Sequence, residues 1–247
     1  MNLSLNRLLK YDVFASDGDI GHIKDILFDD QKWVLRYLNV DTKRWMPMSK
    51  KVLISPISVN SFNIKEGQLT LSLTKQNVLD SPSIEAHKPV SQQFEEIYFD
   101  FFGYGYYWSG MGLWGDFQNP SALAEQKILE EDADKPASAS NKDRHLRSIH
   151  ELKRYAVVET DGMQGHVHDF IVDSDSWTIK YLVIDTRNWL PGGRKVMLPP
   201  EYLEEVSWKD QAVFCKLKIE QIKQIPAYDE DKLDDAAYLA RVNAAFS

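Results

Sequence analysis

The sequence predicts a mainly β protein made of two tandem small β-barrels of the kind described below, and three observations carry that prediction. Residues 17–56, DGDIGHIKDILFDDQKWVLRYLNVDTKRWMPMSKKVLISP, return without a gap at residues 161–200 as DGMQGHVHDFIVDSDSWTIKYLVIDTRNWLPGGRKVMLPP. Each copy is cut into short runs rich in β-branched and aromatic residues, with turn residues between them. Neither copy carries a long helical period, and about five or six short antiparallel strands per copy suit a small closed or nearly closed barrel. Closure also removes sheet edges that invite aggregation.

The correspondence extends outward at the same spacing of 144 residues. Leu8, Tyr11 and Val13 match Leu152, Tyr155 and Val157 on one side; Leu69, Leu71, Leu73 and Pro82 match Val213, Cys215, Leu217 and Pro226 on the other. A repeat this long and this diverged marks a duplicated folding unit, so both copies should share one fold. Residues 1–82 are therefore expected as the first barrel domain and 147–226 as the second. Within them, Asp17-Gly18 and Asp161-Gly162 are turn dipeptides between strands. Residues 22–29 and 166–173 read as one strand, the Asp-rich DDQK at 29–32 and SDS at 174–176 as a hairpin turn, and 33–41 and 177–185 as the returning strand. Residues 69–73 and 213–219 alternate with period two, which adds a strand with one wet face.

Between the repeats, residues 83–146 differ in kind. Residues 94–115 crowd aromatics among glycines. Asn119-Pro120 then opens a helix expected to run to about Asp132 with Leu123, Ile128 and Leu129 on its apolar side. Residues 135–141, KPASASN, read as a flexible linker. After the second repeat, residues 227–247 carry an acidic first turn and Leu233, Ala236, Ala237, Ala240 and Ala244 at helical spacing, the pattern of a C-terminal amphipathic helix.

Composition bounds the partners. The 247 residues carry a net charge of −8, which argues against a nucleic-acid backbone and against anionic membrane surfaces. Cys215 is the only cysteine, so the sequence offers neither a disulfide framework nor a cysteine-based zinc site, and a reducing cytoplasm is expected. The opening MNLSLNRLLKYDVF lacks the sustained apolar core of a signal peptide, and no window reaches the roughly 18 apolar residues of a spanning helix. Repeats of about 70 to 80 residues bury a modest core, which favours packing of the two against each other or against a second chain.

The repeated motifs resemble a known family. A DG-x-x-GH-[IV]-x-D strand, an Asp-rich turn, a W-x-x-[RK]-YL-x-[VI]-DT strand and a basic-Val exit, as in Lys51-Val52 to Pro56 and Lys195-Val196 to Pro200, are similar to those of the PRC-barrel family. That family includes the cytoplasmic domain of the photosynthetic reaction centre H subunit and the C-terminal domain of a bacterial ribosome maturation factor. The aromatic segment 98–115 is similar to the one that follows the barrel in bacterial two-barrel members. The resemblance implies a small β-barrel acting as an adaptor surface, without a shared active site.

No constellation of residues demands a reaction, a cofactor or a metal. His22 with Asp25 and His166 with Asp169 form an H-x-x-D pair in each repeat, joined by His168 in the second. The pattern could hold a metal or orient a general base. In a regular strand, however, positions three apart point to opposite faces, so a surface imidazole and an aspartate serving a nearby turn are expected. The Asp29-Asp30 and Asp173/Asp175 turns offer too few oxygens for calcium. Pro191-Gly192-Gly193-Arg194-Lys195 lacks the Walker spacing, and Ser109 lacks the leading glycine of a nucleophile elbow. Trp33/Trp177, Tyr37/Tyr181 and Trp45/Trp189 recur as barrel or inter-barrel packing.

The aromatic segment holds the expected interaction residues, Tyr104, Tyr106, Tyr107, Trp108 and Trp114, because so many rings exposed together mark an interface unless they bury one another. The expectation from sequence is a non-enzymatic protein-binding or scaffold module acting as a homodimer. A peripheral adaptor on a cytoplasmic membrane complex, photosynthetic or electron-transfer in type, is the alternative the resemblance implies. A metal- or His/Asp-dependent enzyme is the remaining one.

Overall fold

The computed structural model describes residues 1–42, 51–83, 90–125, 146–160, 164–186 and 193–246. The first part of the chain gives β1 (Asn2–Ser4), α1 (Leu5–Leu8), β2 (Asp12–Ala15), β3 (Gly18–Asp29), β4 (Val34–Asp41), β5 (Lys51–Ile54), β6 (Val59–Asn63) and β7 (Gln68–Leu71). Three helices follow, α2 (Lys75–Asp80), α3 (Gln92–Phe102) and α4 (Ser121–Glu125). The second part gives β8 (Leu146–Ser148), α5 (Ile149–Leu152), β9 (Ala156–Val158), β10 (Gln164–Asp173), β11 (Ile179–Asp185), β12 (Lys195–Leu198), β13 (Leu203–Ser207), β14 (Ala212–Cys215), α6 (Ile219–Ile222) and α7 (Ala236–Ala244). Among the described residues no helix is long and apolar enough to cross a membrane.

The strands form two seven-stranded sheets of the same design, and these make two tandem small β-barrel-like domains. One runs β5-β4-β3-β2-β7-β6 with β8 on β3; the other runs β12-β11-β10-β9-β14-β13 with β1 on β10. All pairings are antiparallel except β2 with β7 and β9 with β14, which are parallel. The all-antiparallel arrangement expected from sequence is corrected at that one seam per sheet. A parallel seam is possible there because the partner strands are not hairpin neighbours: β3 to β6 intervene between β2 and β7.

Two compact units result, and their boundaries do not follow the repeats. One comprises residues 7–148 with 175–177, the other residues 1–6, 149–174 and 178–247. β1, which opens the chain, thus belongs to the unit built from the second repeat, and β8, which precedes that repeat, belongs to the unit built from the first.

Local chemistry explains the strand path. β4, VLRYLNVD, is buried at every position but Asn39, so it is covered on both faces. β3 and β10 carry bulges at matching places, between Ile23 and Asp25, and between Val167 and Asp169, which bend the long strand as a barrel requires. Gly21, at φ +131°, lies so close to β4 that a Cβ would sit 2.0 Å from the Asp41 carbonyl oxygen. The Asp29 carboxylate accepts from the backbone N–H groups of Gln31 and Lys32, both at 3.0 Å, the turn chemistry expected of it. Trp33 and Trp177 close the equivalent hairpins in the left-handed region, at φ 55° and 59°.

Three segments depart from the sequence reading. The strand expected over 213–219 ends at Cys215, and Ile219–Ile222 is helical, just as β7 of the first repeat ends at Leu71 and Thr74 then caps α2. The C-terminal helix begins late. Asp235 caps it by accepting from the N–H groups of Ala237 and Tyr238, so the preceding acidic run forms only a short 3₁₀ turn at Glu230–Lys232. Residues 92–102, for which the sequence reading assigned no helix, form α3, which Ser91 starts by accepting from the Phe94 N–H and Gly103 ends at φ 66°. α4 follows Asn119-Pro120 as expected, while its continuation to Asp132, the linker 135–141, Asp161-Gly162, Trp45, Trp189 and Pro191-Gly192 lie outside the described residues.

Candidate interaction surface

α3 has two faces, and the barrel sheet decides which is which. Glu95, Tyr98 and Phe99 are buried, whereas Ile97 and Phe101 are 53% and 44% exposed. On the buried side the Tyr37 hydroxyl, from β4, and the Tyr107 hydroxyl, from the loop after α3, both donate to Oε1 of Glu95 at 2.9 and 2.7 Å. A fully buried carboxylate is costly unless hydrogen-bonded, and two phenols supply those bonds. Burial and the adjoining Glu95 push the Tyr37 hydroxyl well above its usual pKa, so it stays a donor. Tyr98 accepts from the Ser55 N–H at 2.9 Å, and the Tyr104 and Ser58 hydroxyls are 2.7 Å apart.

Arg36 fixes the loop from the sheet side. Its guanidinium lies 3.8 Å from the Tyr107 ring centroid and 4.7 Å from that of Trp114. It donates to the Leu113 carbonyl at 2.7 Å and to the Asp29 carboxylate at 3.3 Å, and almost none of it is exposed. The Trp114 Nε1–H donates to the Ser176 carbonyl at 2.8 Å. The loop is thus held by hydrogen bonds as well as by ring packing.

This geometry sorts the five aromatic residues predicted for an interface. Tyr104, Tyr107 and Trp114 are buried. Tyr106 and Trp108 are half-buried and stacked, with centroids 4.8 Å apart and planes at 23°. The Tyr106 hydroxyl donates to Asp100, and partial burial followed by that carboxylate pushes its pKa up to about 12. Met111, at the tip of the loop, is 99% exposed. The outward side of the segment is therefore Ile97, Phe101, Met111 and the exposed parts of Tyr106 and Trp108. Sequence reasoning missed Ile97 and Met111; the i, i+4 spacing of Ile97 with Phe101 could have shown the first once the stretch was read as a helix, and no sequence signal marked Met111.

The His/Asp pairs go to other work. The bulges insert one residue between each histidine and its aspartate, so the regular alternation that would send them to opposite faces does not hold. Asp25 accepts from the Ser148 hydroxyl at 2.7 Å and from the Ile26 N–H at 2.8 Å. Asp169 accepts from the Ser4 hydroxyl at 2.6 Å, the Asn6 N–H at 2.9 Å and the Phe170 N–H at 2.8 Å. Burial raises the Asp169 pKa, while these donors hold it down. The aspartates thus fasten added strands rather than a nearby turn, which corrects the sequence reading. The signal was present, because Ser4 and Ser148 stand at the same spacing of 144 as the aspartates they meet. His166 is half-exposed and faces Asp185 at 3.8 Å; His168 has its pKa lowered by burial and then by Lys195. Among the described residues no group of three or more His, Cys, Asp or Glu side chains is arranged to hold a metal ion.

Residues 2–78 match the family model of the PRC-barrel domain. No curated protein matches the chain. The match covers the first repeat, and the second repeat reproduces its strand order and bulges. The chain thus carries a PRC-barrel domain at residues 2–78.

Proposed function

We propose that this protein is a non-enzymatic binding module of the cytoplasm that acts as a homodimer, with the outward side of α3 and the loop after it as the contact surface. A PRC-barrel domain is in general a protein-interaction module. The observation that carries the reading is the outward apolar side of the aromatic segment: Ile97, Phe101 and Met111 are exposed while neighbours on the same helix and loop are fully buried. A surface of that kind is favoured at interfaces, and Met adapts readily to a partner's shape. The single buried cysteine and the net charge of −8 support a reducing compartment and a protein rather than nucleic-acid partner.

The test is the oligomeric state across a concentration series, measured by sedimentation equilibrium. Ile97→Asp with Phe101→Asp should convert a dimer to a monomer without changing the circular dichroism spectrum, since both side chains point away from the sheet. A wild-type protein that is monomeric at every concentration, or a dimer unmoved by the double substitution, would remove this surface from the account.

A further inference from the structure

We propose that β1 and β8 are recognition segments, each read by a built slot on the long strand it joins, and that the two repeats are a strand-complemented pair that stays assembled when the linker is cut. The two pairings are the same pairing. Asn2, Leu3 and Ser4 lie opposite Asp173, Val172 and Ile171, while Leu146, Arg147 and Ser148 lie opposite Asp29, Phe28 and Leu27. Every one of these positions is related to its counterpart by the spacing of 144. In each slot an aspartate at a bulge takes the hydroxyl of the incoming serine, Asp169 from Ser4 and Asp25 from Ser148. Both segments continue Ser-[Leu/Ile]-x-x-Leu, and Leu5, Leu8, Ile149 and Leu152 are fully buried. The ligand each slot recognises is an extended segment with a serine hydroxyl for the aspartate and a branched aliphatic residue directly after it.

A second contact tells the segments apart. Arg147 pairs with Asp30 at 3.4 Å. The position matching Asp30 in the other slot is Ser174, whose N–H donates to the Met1 carbonyl, and the position matching Arg147 is the apolar Leu3. In the other slot Arg147 would lose its carboxylate, and Leu3 in the Arg147 position would leave Asp30 without the cation. β1 is further fixed by Asn2, which donates to the Asp234 carboxylate and the Leu233 carbonyl, and by the Asn6 side chain, which donates to the His168 carbonyl. Since β1 is covalently part of the first repeat and β8 of the stretch leading into the second, each compact unit lacks a strand unless the other piece of chain supplies it.

The experiment replaces residues 135–141 of the full chain with a protease recognition sequence, cuts it, and follows the two fragments by gel filtration and by competition with a labelled fragment. The wild-type fragments should co-elute. Ser4→Ala with Ser148→Ala should weaken their association about a hundredfold, roughly tenfold for each lost hydroxyl-to-carboxylate bond. Ser4→Thr with Ser148→Thr, which keeps both hydroxyls, should hold. Arg147→Leu should weaken it less than the alanine pair. Circular dichroism of each uncut variant separates loss of recognition from loss of folding. Wild-type fragments that part while folded would overturn the proposal, as would an alanine pair that stays as tight as wild type.

Discussion

Tyr37 and Tyr181 hold the same place in the two repeats, yet different parts of the chain cover them. Over the first sheet the Tyr37 hydroxyl meets Glu95 on α3, sealed further by Tyr107. Over the second, the Tyr181 hydroxyl donates to Asn243 on α7 at 2.8 Å, and Ile171, Val183 and Met197 pack with Leu233, Tyr238 and Val242. The neighbouring residue changes with the cover: Arg36 is buried under rings, while the matching Lys180 is exposed. One sheet design thus needs its outer face covered, and unrelated segments do it, one with a buried ionic and aromatic network and one with a plain amphipathic helix. The duplicated part supplies the frame, and the unduplicated parts supply what differs between the units.

The comparison breaks most easily at the two acceptors. Glu95→Ala should cost about 3–4 kcal/mol, because it strands two buried phenol hydroxyls at once. Asn243→Ala should cost about 1 kcal/mol, because the less deeply buried Tyr181 hydroxyl can turn to water. Denaturant melts monitored by tryptophan fluorescence decide this, and equal losses would mean that the two covers are energetically alike. Next in size, Arg36→Lys keeps the charge but loses the fork to Leu113 and Asp29 and the flat stacking on Tyr107 and Trp114, for about 2 kcal/mol. Lys180→Ala should stay within about 0.5 kcal/mol in the same assay.

A smaller contrast lies in the frame itself. Gly67 and Gln211 are equivalent, both left-handed at φ 64° and 52°, and both carbonyls accept from the strand beside them, at Asp12 and Ala156. A Cβ on Gly67 would meet nothing nearer than 3.7 Å, so backbone strain rather than space separates the two repeats here. Gly67→Gln should therefore cost about 1 kcal/mol, and Gln211→Gly should gain about 0.5 kcal/mol after the extra freedom of glycine in the unfolded chain is offset. Thermal melts that shift in the same direction for both changes would show that the positions are not equivalent.

The frame was legible because its signals are local: turn dipeptides, an Asp-rich hairpin, alternating strands, and a repeat that states each of them twice. α3 was not, because Tyr, Phe and Gly crowd around it and its helical face shows only when Glu95, Tyr98 and Phe99 have a sheet to pack on; short helices take most of their stability from such packing. The roles of Asp25 and Asp169 were hidden by the bulges, which change the faces of a strand without changing its residue spacing. The exchange of β1 and β8 was hidden more deeply. When two slots have nearly the same sequence, the repeat shows that a strand is needed without showing which copy supplies it. Only single differences such as Arg147 against Leu3, and Asp30 against Ser174, carry that choice.

Those added strands also give the smallest expected effect. Burial raises the Asp169 pKa above its ordinary 3.8, so the folded state holds that proton more tightly than the unfolded one. Asp169 therefore contributes stability that is fully present below about pH 3.8 and is lost as pH rises through its raised folded value. Asp169→Asn keeps an oxygen for Ser4 but cannot ionise, so the stability of wild type relative to this variant should fall as pH rises across that interval. The Ser4 hydroxyl and the Asn6 N–H oppose the rise by favouring the carboxylate, and Ser4→Ala should move the titration of Asp169, followed by carboxyl carbon NMR, further upward. A titration unmoved by Ser4→Ala would mean that the hydroxyl does not reach the carboxylate in solution, and the clasp on β1 would then rest on the backbone pairing and the asparagines alone.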